Sequence, residues 1–208
     1  MNNYEYLIAS LPDISKEWKG SEEQSWENII AEIKGLCSAS DNKLVDALLE
    51  GYDDSKLCEE FYTKALASKN KFIRDYFTFD LNVRNAKVRY LNKALDRPAG
   101  TDIFMETVGE FAECQKLDGV LDTSDILSRE RGIDDLMWEK IDEITTFDYF
   151  DIDAVLGFIA KLHIVSRWLK LDPESGKAMF ARLVDEVGYA RNMIRHTQRD
   201  IRSAVKKR

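Results

Sequence analysis

The chain has 208 residues, 44% hydrophobic and 33% charged, a composition that excludes a disordered protein and indicates a globular one with a strongly charged surface. The 10 glycines and 3 prolines are few, which favours long helices over many short strands joined by tight turns. Residues 191–208 hold seven basic residues and one acidic residue, so they carry +6 of a net charge of -8 and the remaining chain carries -14. Such an acidic body would repel nucleic acid.

The first third of the chain is predicted to contain one strand candidate and three helices. Tyr4–Ala9 is the only strand candidate. The S-x-x-Q capping box that begins at Ser21 predicts the start of the first helix. Apolar residues follow it at helical spacing: Trp26, Ile29, Ile30, Ile33 and Leu36. Two shorter helices are predicted over 41–51 and 55–66.

A long helix is predicted over Asn70–Asp96, where Pro98 ends the helical pattern. One side of this helix is apolar and consists of Ile73, Phe77, Leu81, Val88, Leu91 and Leu95. The segment that follows, 100–123, is the least regular part of the chain, with a short helix expected around 108–116.

The last third of the chain is predicted to form three more helices. The first is capped at 123 or 124 and runs to Ile144, with a break near Gly132. The next is capped by Asp151 and is apolar on more than one face over 152–169, so we expect it to be buried on two sides.

The final helix has the clearest start signal, with Asp172 as the N-cap and Pro173 at the first helical position. We expect it to extend to about residue 205 along a seam resembling that of a coiled coil. The sequence therefore predicts an all-α protein, a bundle of long packed helices with a long C-terminal helix. We expect one domain over 1–208, with halves 1–100 and 120–208 as the alternative division.

Four polar residues lie within the long helix and form a predicted structural cluster: Asp80, Asn82, Arg84 and Asn85. Asp80 and Arg84 have the acid-first spacing of four that suits a helical ion pair. Asparagine is a poor helix former, so its presence inside a helix calls for a reason. Either the cluster is a solvated turn with an ion pair, or it is partly buried and fixes the register of packed helices. We favour the second interpretation because Arg84 lies between Leu81 and Val88.

A basic stripe is predicted on the final helix, where five cations are spaced three or four apart: Arg191, Arg195, Arg199, Arg202 and Lys206. Like charges at this spacing repel one another, so an acidic surface is expected opposite them. That surface belongs either to the acidic body of this chain or to a partner protein. We take the stripe as a protein interface.

No catalytic, cofactor-binding or metal-binding residues are predicted. The two histidines, His163 and His196, have no second ligand at metal-binding spacing, and the phosphate-binding and nucleophile motifs are absent. Acidic runs such as 147–153 are better explained by helix capping and solvated faces than by metal chemistry. The three cysteines are expected to be small buried hydrophobic residues in a reducing cytoplasm. An enzyme that uses the acidic runs with a metal is the least favoured interpretation.

Three passages resemble a family of bacterial proteins of unassigned biochemistry. They are the opening 3–12, the segment 79–85 and the Trp138-Glu-Lys-Ile-Asp motif followed by Phe147-Asp-Tyr-Phe. The family is encoded among the genes of V/A-type ATPases. In helical character it is similar to their C subunit, subunit d in eukaryotes, which joins the central rotor shaft to the membrane ring.

The resemblance implies a non-catalytic subunit or accessory protein of a V/A-type rotary ATPase, in which ATP is coupled to proton or sodium transport. Its partners would be the central stalk and the membrane ring. The charged residues spread through the most apolar stretch, 152–171, argue against direct membrane insertion, and the N-terminus lacks the basic region of a signal peptide. We therefore expect a cytoplasmic protein held at the inner face of the cell membrane by its partners. The alternative is a free-standing helical scaffold or assembly factor that binds an acidic protein.

Overall fold

The computed structural model describes residues 4–16, 25–106, 109 and 111–169. Eight α-helices account for 68% of these residues, and this part of the chain contains no strand, which confirms the all-α prediction. The helices are α1 Glu5–Ser10, α2 Trp26–Leu36, α3 Ala39–Glu50, α4 Glu59–Leu66, α5 Lys71–Ala94, α6 Cys114–Leu121, α7 Ile126–Ile144 and α8 Ile152–Leu169.

The chain divides into two compact units, Met1–Val165 and Ser166–Arg208. Of the second unit, the structure describes only 166–169, at the end of α8. The predicted final helix over 172–205 and its basic stripe lie outside the described residues. The start predicted at Ser21 for the first helix is wrong, because α2 begins at Trp26, where the Ser25 side chain is the N-cap and accepts a hydrogen bond from the Asn28 N–H. The prediction of one domain over 1–208 stays a prediction.

The long helix α5 is the centre of the first unit, since α3, α4, α6 and α7 all pack against it. Asn70 is the N-cap of α5, and its Oδ1 accepts a hydrogen bond of 2.8 Å from the backbone N–H of Ile73. Phe72, Ile73 and Phe77 are then almost completely buried. Burial of a large apolar side chain stabilises the fold by about 1.5–3 kcal/mol, so this face provides much of the core.

The helices α5 and α7 run antiparallel. At one end Lys87 Nζ lies 3.2 Å from Glu130 Oε1, and at the other Lys71 Nζ donates a 3.2 Å hydrogen bond to the carbonyl oxygen of Ile144. The N-terminus of α7 is capped by Asp125, whose Oδ2 accepts from the Ser128 N–H at 2.7 Å. The two helices therefore form a pair with the start of each beside the end of the other.

The helix α8 is buried on two sides, as its sequence predicts. Val155, Ile159 and Leu162 occupy one face and Leu156 and Ala160 another, and all five are fully buried. Asp151 caps the helix as expected, since its Oδ1 accepts a 3.1 Å hydrogen bond from the Ala154 N–H.

The strand candidate Tyr4–Ala9 is not a strand, because residues 5–9 lie in α1 and Tyr4 is its N-cap. A lone strand would leave its backbone groups without partners, whereas a helix satisfies them locally. Leu7 anchors the short helix in the core, and the Tyr4 N–H donates a 2.7 Å hydrogen bond to the carbonyl oxygen of Phe150. This contact places α1 beside the segment that follows α7.

Two helix boundaries in the middle of the chain also differ from the prediction. The helix expected over 108–116 lies at Cys114–Leu121, and α7 passes through Gly132 without a break. A Cβ atom at Gly132 would lie 2.7 Å from Val120 Cγ1, so this glycine allows α6 to approach α7 closely. Glycine at this position is required by the packing of α6 on α7, and it does not mark a helix break as the local sequence pattern suggested.

The apolar side predicted for α5 is only partly buried. Ile73, Phe77 and Leu81 face the core, but Leu91 and Leu95 are more than half exposed. The inward face at this end of the helix carries Asn92, whose Nδ2 donates a 2.8 Å hydrogen bond to the carbonyl oxygen of Thr101. A loop that presents backbone carbonyl groups requires a donor opposite it, so an asparagine occupies the position.

Substitution of Gly132 by alanine should destabilise the protein by about 1–2 kcal/mol, since the new methyl group must displace Val120 in a tightly packed contact. The matched control is Gly119→Ala in α6, where nothing lies within 4 Å of the added Cβ. That change should stabilise the protein by up to about 1 kcal/mol, because alanine is a better helix former. Urea denaturation of both variants measures the difference, and equal effects would contradict the close approach of α6 and α7.

Candidate functional site

Asp80 joins α5 to α4 through a tyrosine. The hydroxyl of the fully buried Tyr62 donates a 2.7 Å hydrogen bond to Asp80 Oδ2. Burial raises the pKa of Asp80, while the hydrogen bond from Tyr62 and the charge of Arg84 oppose that shift. Burial and the nearby Asp80 carboxylate also raise the pKa of Tyr62, so the phenol remains a donor. The pair is a polar tie between two helices inside an apolar core.

Arg84 has a second contact besides its charge interaction with Asp80. Its guanidinium carbon lies 4.3 Å from the centre of the Phe104 ring, a cation–π arrangement. Five residues further along α5, Arg89 Nη2 lies 2.8 Å from Glu106 Oε2. Both arginines therefore reach from the helix to the loop that follows it.

Asn85 holds the same loop. It is almost completely buried, and its Nδ2 donates a 2.9 Å hydrogen bond to the carbonyl oxygen of Met105. Asn92 lies seven positions further on, two helical turns away, and it binds the loop at Thr101. Asn85 and Asn92 therefore occur inside the helix because they bind the loop that follows it, a role that the sequence analysis left open. Their spacing of seven residues, which places both on one side of the helix, is the sequence signal that could have indicated this role.

Asn82 lies on the opposite side of α5 from Asp80, because the two positions differ by two residues in a helix. It is 3% exposed, and its Oδ1 has no hydrogen-bond partner. This side chain lies at an open cleft of about 620 Å³ that α5 and α6 form. The cleft contains cations and anions together: Arg89, Lys93, Asp118 and Asp122. The four predicted polar residues are therefore divided between two faces of α5.

An exposed aliphatic patch occupies one end of the α5–α7 pair. Its members are between 51% and 70% exposed: Leu91, Leu95, Ile126 and Leu127. They lie at the end of α5 and the beginning of α7, which are adjacent because the helices run antiparallel. Single exposed apolar residues are normal, but a group of large ones is typical of a protein-binding surface.

An exposed aromatic patch occupies the other end of the pair. Its members are between 50% and 83% exposed: Tyr6, Phe147, Tyr149 and Phe150. Three of them directly follow the end of α7, and the hydrogen bond from Tyr4 to Phe150 brings α1 alongside. The centres of the Tyr149 and Phe150 rings are 6.5 Å apart. Because α5 has 24 residues, the two patches are separated by about 36 Å along the helix axis.

The histidine and cysteine residues form no centre in the described part of the chain. No group of three His, Cys, Asp or Glu side chains there could hold a metal ion. His163 is stacked on Tyr52 with ring centres 3.7 Å apart. The prediction that all three cysteines are buried is wrong, since Cys37 is half-buried and Cys58 and Cys114 are exposed at the starts of α4 and α6.

Among the described residues, no helix is both long enough and apolar enough to span a membrane. The basic stripe of Arg191, Arg195, Arg199, Arg202 and Lys206 lies outside these ranges. Its assignment as a protein interface therefore stays a prediction.

Residues 104–189 are similar to the model of a family described as a protein of unknown function (DUF2764). Within the described residues this region includes α6, α7, the rings at 147–150 and α8, and it begins after α5. No curated protein and no solved structure matches the chain.

Replacement of Tyr62 by phenylalanine should cost about 1–3 kcal/mol at neutral pH, because it removes the hydrogen bond to the buried Asp80 carboxylate. A carboxyl group with a raised folded-state pKa destabilises the fold as the pH rises through that value and the group ionises. Without Tyr62 the pKa of Asp80 rises further. The cost should therefore be largest at neutral pH and should shrink as the pH falls through the raised pKa of Asp80.

The measurement is urea denaturation between pH 4 and 8. Tyr149→Phe is the matched control, because Tyr149 is 66% exposed and its loss of a hydroxyl should leave stability unchanged. A cost for Tyr62→Phe that does not vary with pH would show that Asp80 is not the group stabilised by this tyrosine.

Leucine at positions 82 and 85 should have opposite effects on stability. Asn82→Leu removes a buried oxygen that has no partner and should stabilise the protein by about 1 kcal/mol. Asn85→Leu removes the bond to the Met105 carbonyl group and should destabilise it by about 1–2 kcal/mol. Thermal denaturation compares two similar changes one turn apart on the same helix. Destabilisation of similar size at both positions would contradict the assignment of roles.

Proposed function

We propose that this protein is a non-catalytic adaptor of a V/A-type rotary ATPase, a C-like subunit or accessory protein between the central stalk and the membrane ring. The observation that supports this role is the pair of exposed apolar patches at opposite ends of α5 and α7. An adaptor must bind two partners at once and keep them a fixed distance apart. The aliphatic patch and the aromatic patch supply two separate surfaces for that purpose.

The helices between the patches suit an adaptor that transmits force. The α5–α7 pair is tied by the Lys87–Glu130 ion pair and by the hydrogen bond from Lys71 to Ile144. Tyr62 and Asp80 tie α5 to α4 in addition. A packed helical core resists deformation because its side chains interdigitate at close to crystal density. Torque applied at one patch would reach the other with little loss.

The assignment to the ATPase derives from the resemblance in the sequence. One of the resembling passages, 138–150, lies inside the region that is similar to the family of unknown function, and it contains three of the four rings of the aromatic patch. In this proposal the protein is cytoplasmic and its partners hold it at the inner face of the membrane. The basic stripe of the last residues provides a further contact, and the ATPase couples ATP to proton or sodium transport.

The test is affinity purification of the full-length tagged chain from its native membrane, followed by identification of the proteins that accompany it. We expect stalk and ring subunits of the ATPase with the wild-type chain. The double variants Ile126→Ser with Leu127→Ser, and Phe147→Ser with Tyr149→Ser, should each lose a different subset. The matched control is Leu36→Ser, an exposed leucine of α2 outside both patches.

Two outcomes would contradict the proposal. If neither double variant changes the set of co-purified proteins, the patches are not docking surfaces. If the accompanying proteins are not ATPase subunits, the chain is instead a free-standing scaffold or assembly factor.

A further inference from the structure

We infer that the aromatic patch binds a basic segment of a partner protein, in which lysine or arginine side chains alternate with apolar ones. This inference rests on the proposed function, in which the patch is a protein contact, and it identifies the chemistry of the partner at that end. It depends on the rings of the patch and on the carboxylates that lie among them.

Three carboxylates accompany the rings along the chain: Asp148, Asp151 and Asp153. Two of them already have local partners, since Asp151 caps α8 and Asp153 accepts a hydrogen bond from the side-chain amide of Asn70. Asp148 shares a side-chain hydrogen bond with Asp151, and its other oxygen, Oδ2, is buried without a hydrogen-bond partner. The patch therefore has local negative charge.

The carboxylates are crowded enough to affect one another. Burial raises the pKa of Asp148, and the charges of Asp151 and Asp153 raise it further. Burial and the charge of Asp151 likewise raise the pKa of Asp153. Lys71 offsets part of this repulsion, but one lysine balances one of three carboxylates, and its ammonium group also donates to the Ile144 carbonyl oxygen. A cation from a partner would relieve the remaining repulsion.

The rings select the same kind of partner. A lysine or arginine over the face of an exposed ring is attracted by the negative charge of the ring face, and more strongly where water is excluded. The aliphatic stems of these side chains also cover apolar surface while the charged ends remain free to reach a carboxylate. Phe147 and Tyr149 flank Asp148 in the sequence, so a ring and a carboxylate can receive the same basic side chain.

Other occupants fit this surface less well. The carboxylates would repel anionic lipid headgroups, nucleic acid and acidic peptides. A symmetric contact with a second copy of the chain would place the same carboxylates against each other. A basic, partly apolar segment of another protein satisfies both the rings and the charges.

The experiment uses the full-length chain and three synthetic helical peptides with an identical leucine face. Their polar faces carry lysine and arginine, glutamate, or glutamine, and titration calorimetry at two salt concentrations measures their affinities. We expect the basic peptide to bind at least about tenfold more tightly than the acidic one, and its affinity to fall as salt is added.

Three variants locate the binding surface. Phe147→Ser with Tyr149→Ser should weaken binding of the basic peptide about tenfold, and Asp148→Asn should weaken it less and reduce its salt dependence. Leu36→Ser should bind as the wild type does. Circular dichroism melting curves establish that each variant is folded before it is titrated.

Four results would overturn the inference. Two concern the peptides: equal affinity for the basic and acidic peptides, or wild-type affinity in the double variant. The other two are stronger binding to anionic vesicles than to the basic peptide, or a dimer of the chain that the double substitution dissociates.

The proposed function is tested separately. If the double variant loses ATPase subunits but the wild-type chain shows no preference for basic peptides, only the inference about the partner fails. If the preference is present but no ATPase subunit accompanies the chain, the proposed function fails.

Discussion

Burial of one side of α5 is the interaction on which the first unit depends, because α3, α4, α6 and α7 all meet on this helix. Its aromatic residues also organise their neighbours. The Phe77 ring lies edge-on to that of Phe61 at 5.0 Å, and it fills the space that a side chain at Gly51 would need. Most of the stability of a helix in a protein comes from packing of its apolar face, so this packing sustains both α5 and the helices around it.

The polar residues of α5 impose a second constraint on the same helix. Three of these polar side chains are buried or partly buried and have a hydrogen-bond partner outside α5. Asp80 is bound by Tyr62 of α4, and Asn85 and Asn92 bind Met105 and Thr101 of the loop that follows α5. A buried polar group that loses its partner costs about 1–3 kcal/mol, so these contacts specify where the neighbours lie. Apolar packing thus draws the helices together, and the hydrogen bonds select one arrangement among those that packing allows.

The antiparallel arrangement of α5 and α7 has a consequence for function. Because the end of α5 lies beside the beginning of α7, apolar residues far apart in the sequence form the aliphatic patch. At the other end, the hydrogen bond from Tyr4 to Phe150 brings α1 beside the rings that follow α7. The patches differ in character, since one is aliphatic and the other combines aromatic rings with carboxylates. Two different surfaces at a fixed separation favour two different partners.

The sequence by itself determined the fold class, the existence of α2, α3, α5, α7 and α8, and the N-cap Asp151. These features depend on interactions within a few residues, namely helical periodicity and capping hydrogen bonds, which a local pattern reveals. Asn82 and Asn85 could be identified as unusual within a helix for the same reason. Their separate roles could not, because the partner of Asn85 lies 20 residues further along the chain.

Tertiary structure alone decided the rest. Residues 5–10 are helical, and the part of the chain that the structure describes contains no strand that could pair with them. Gly132 lies inside a helix, where Val120 occupies the space that a side chain would need. Leu91 and Leu95 continue the apolar periodicity of Phe77 and Leu81, yet they are exposed because a loop bound by Asn92 covers the inward face at that point. Periodicity specifies which residues share a side of a helix, but only the packing of distant segments determines which part of that side is covered.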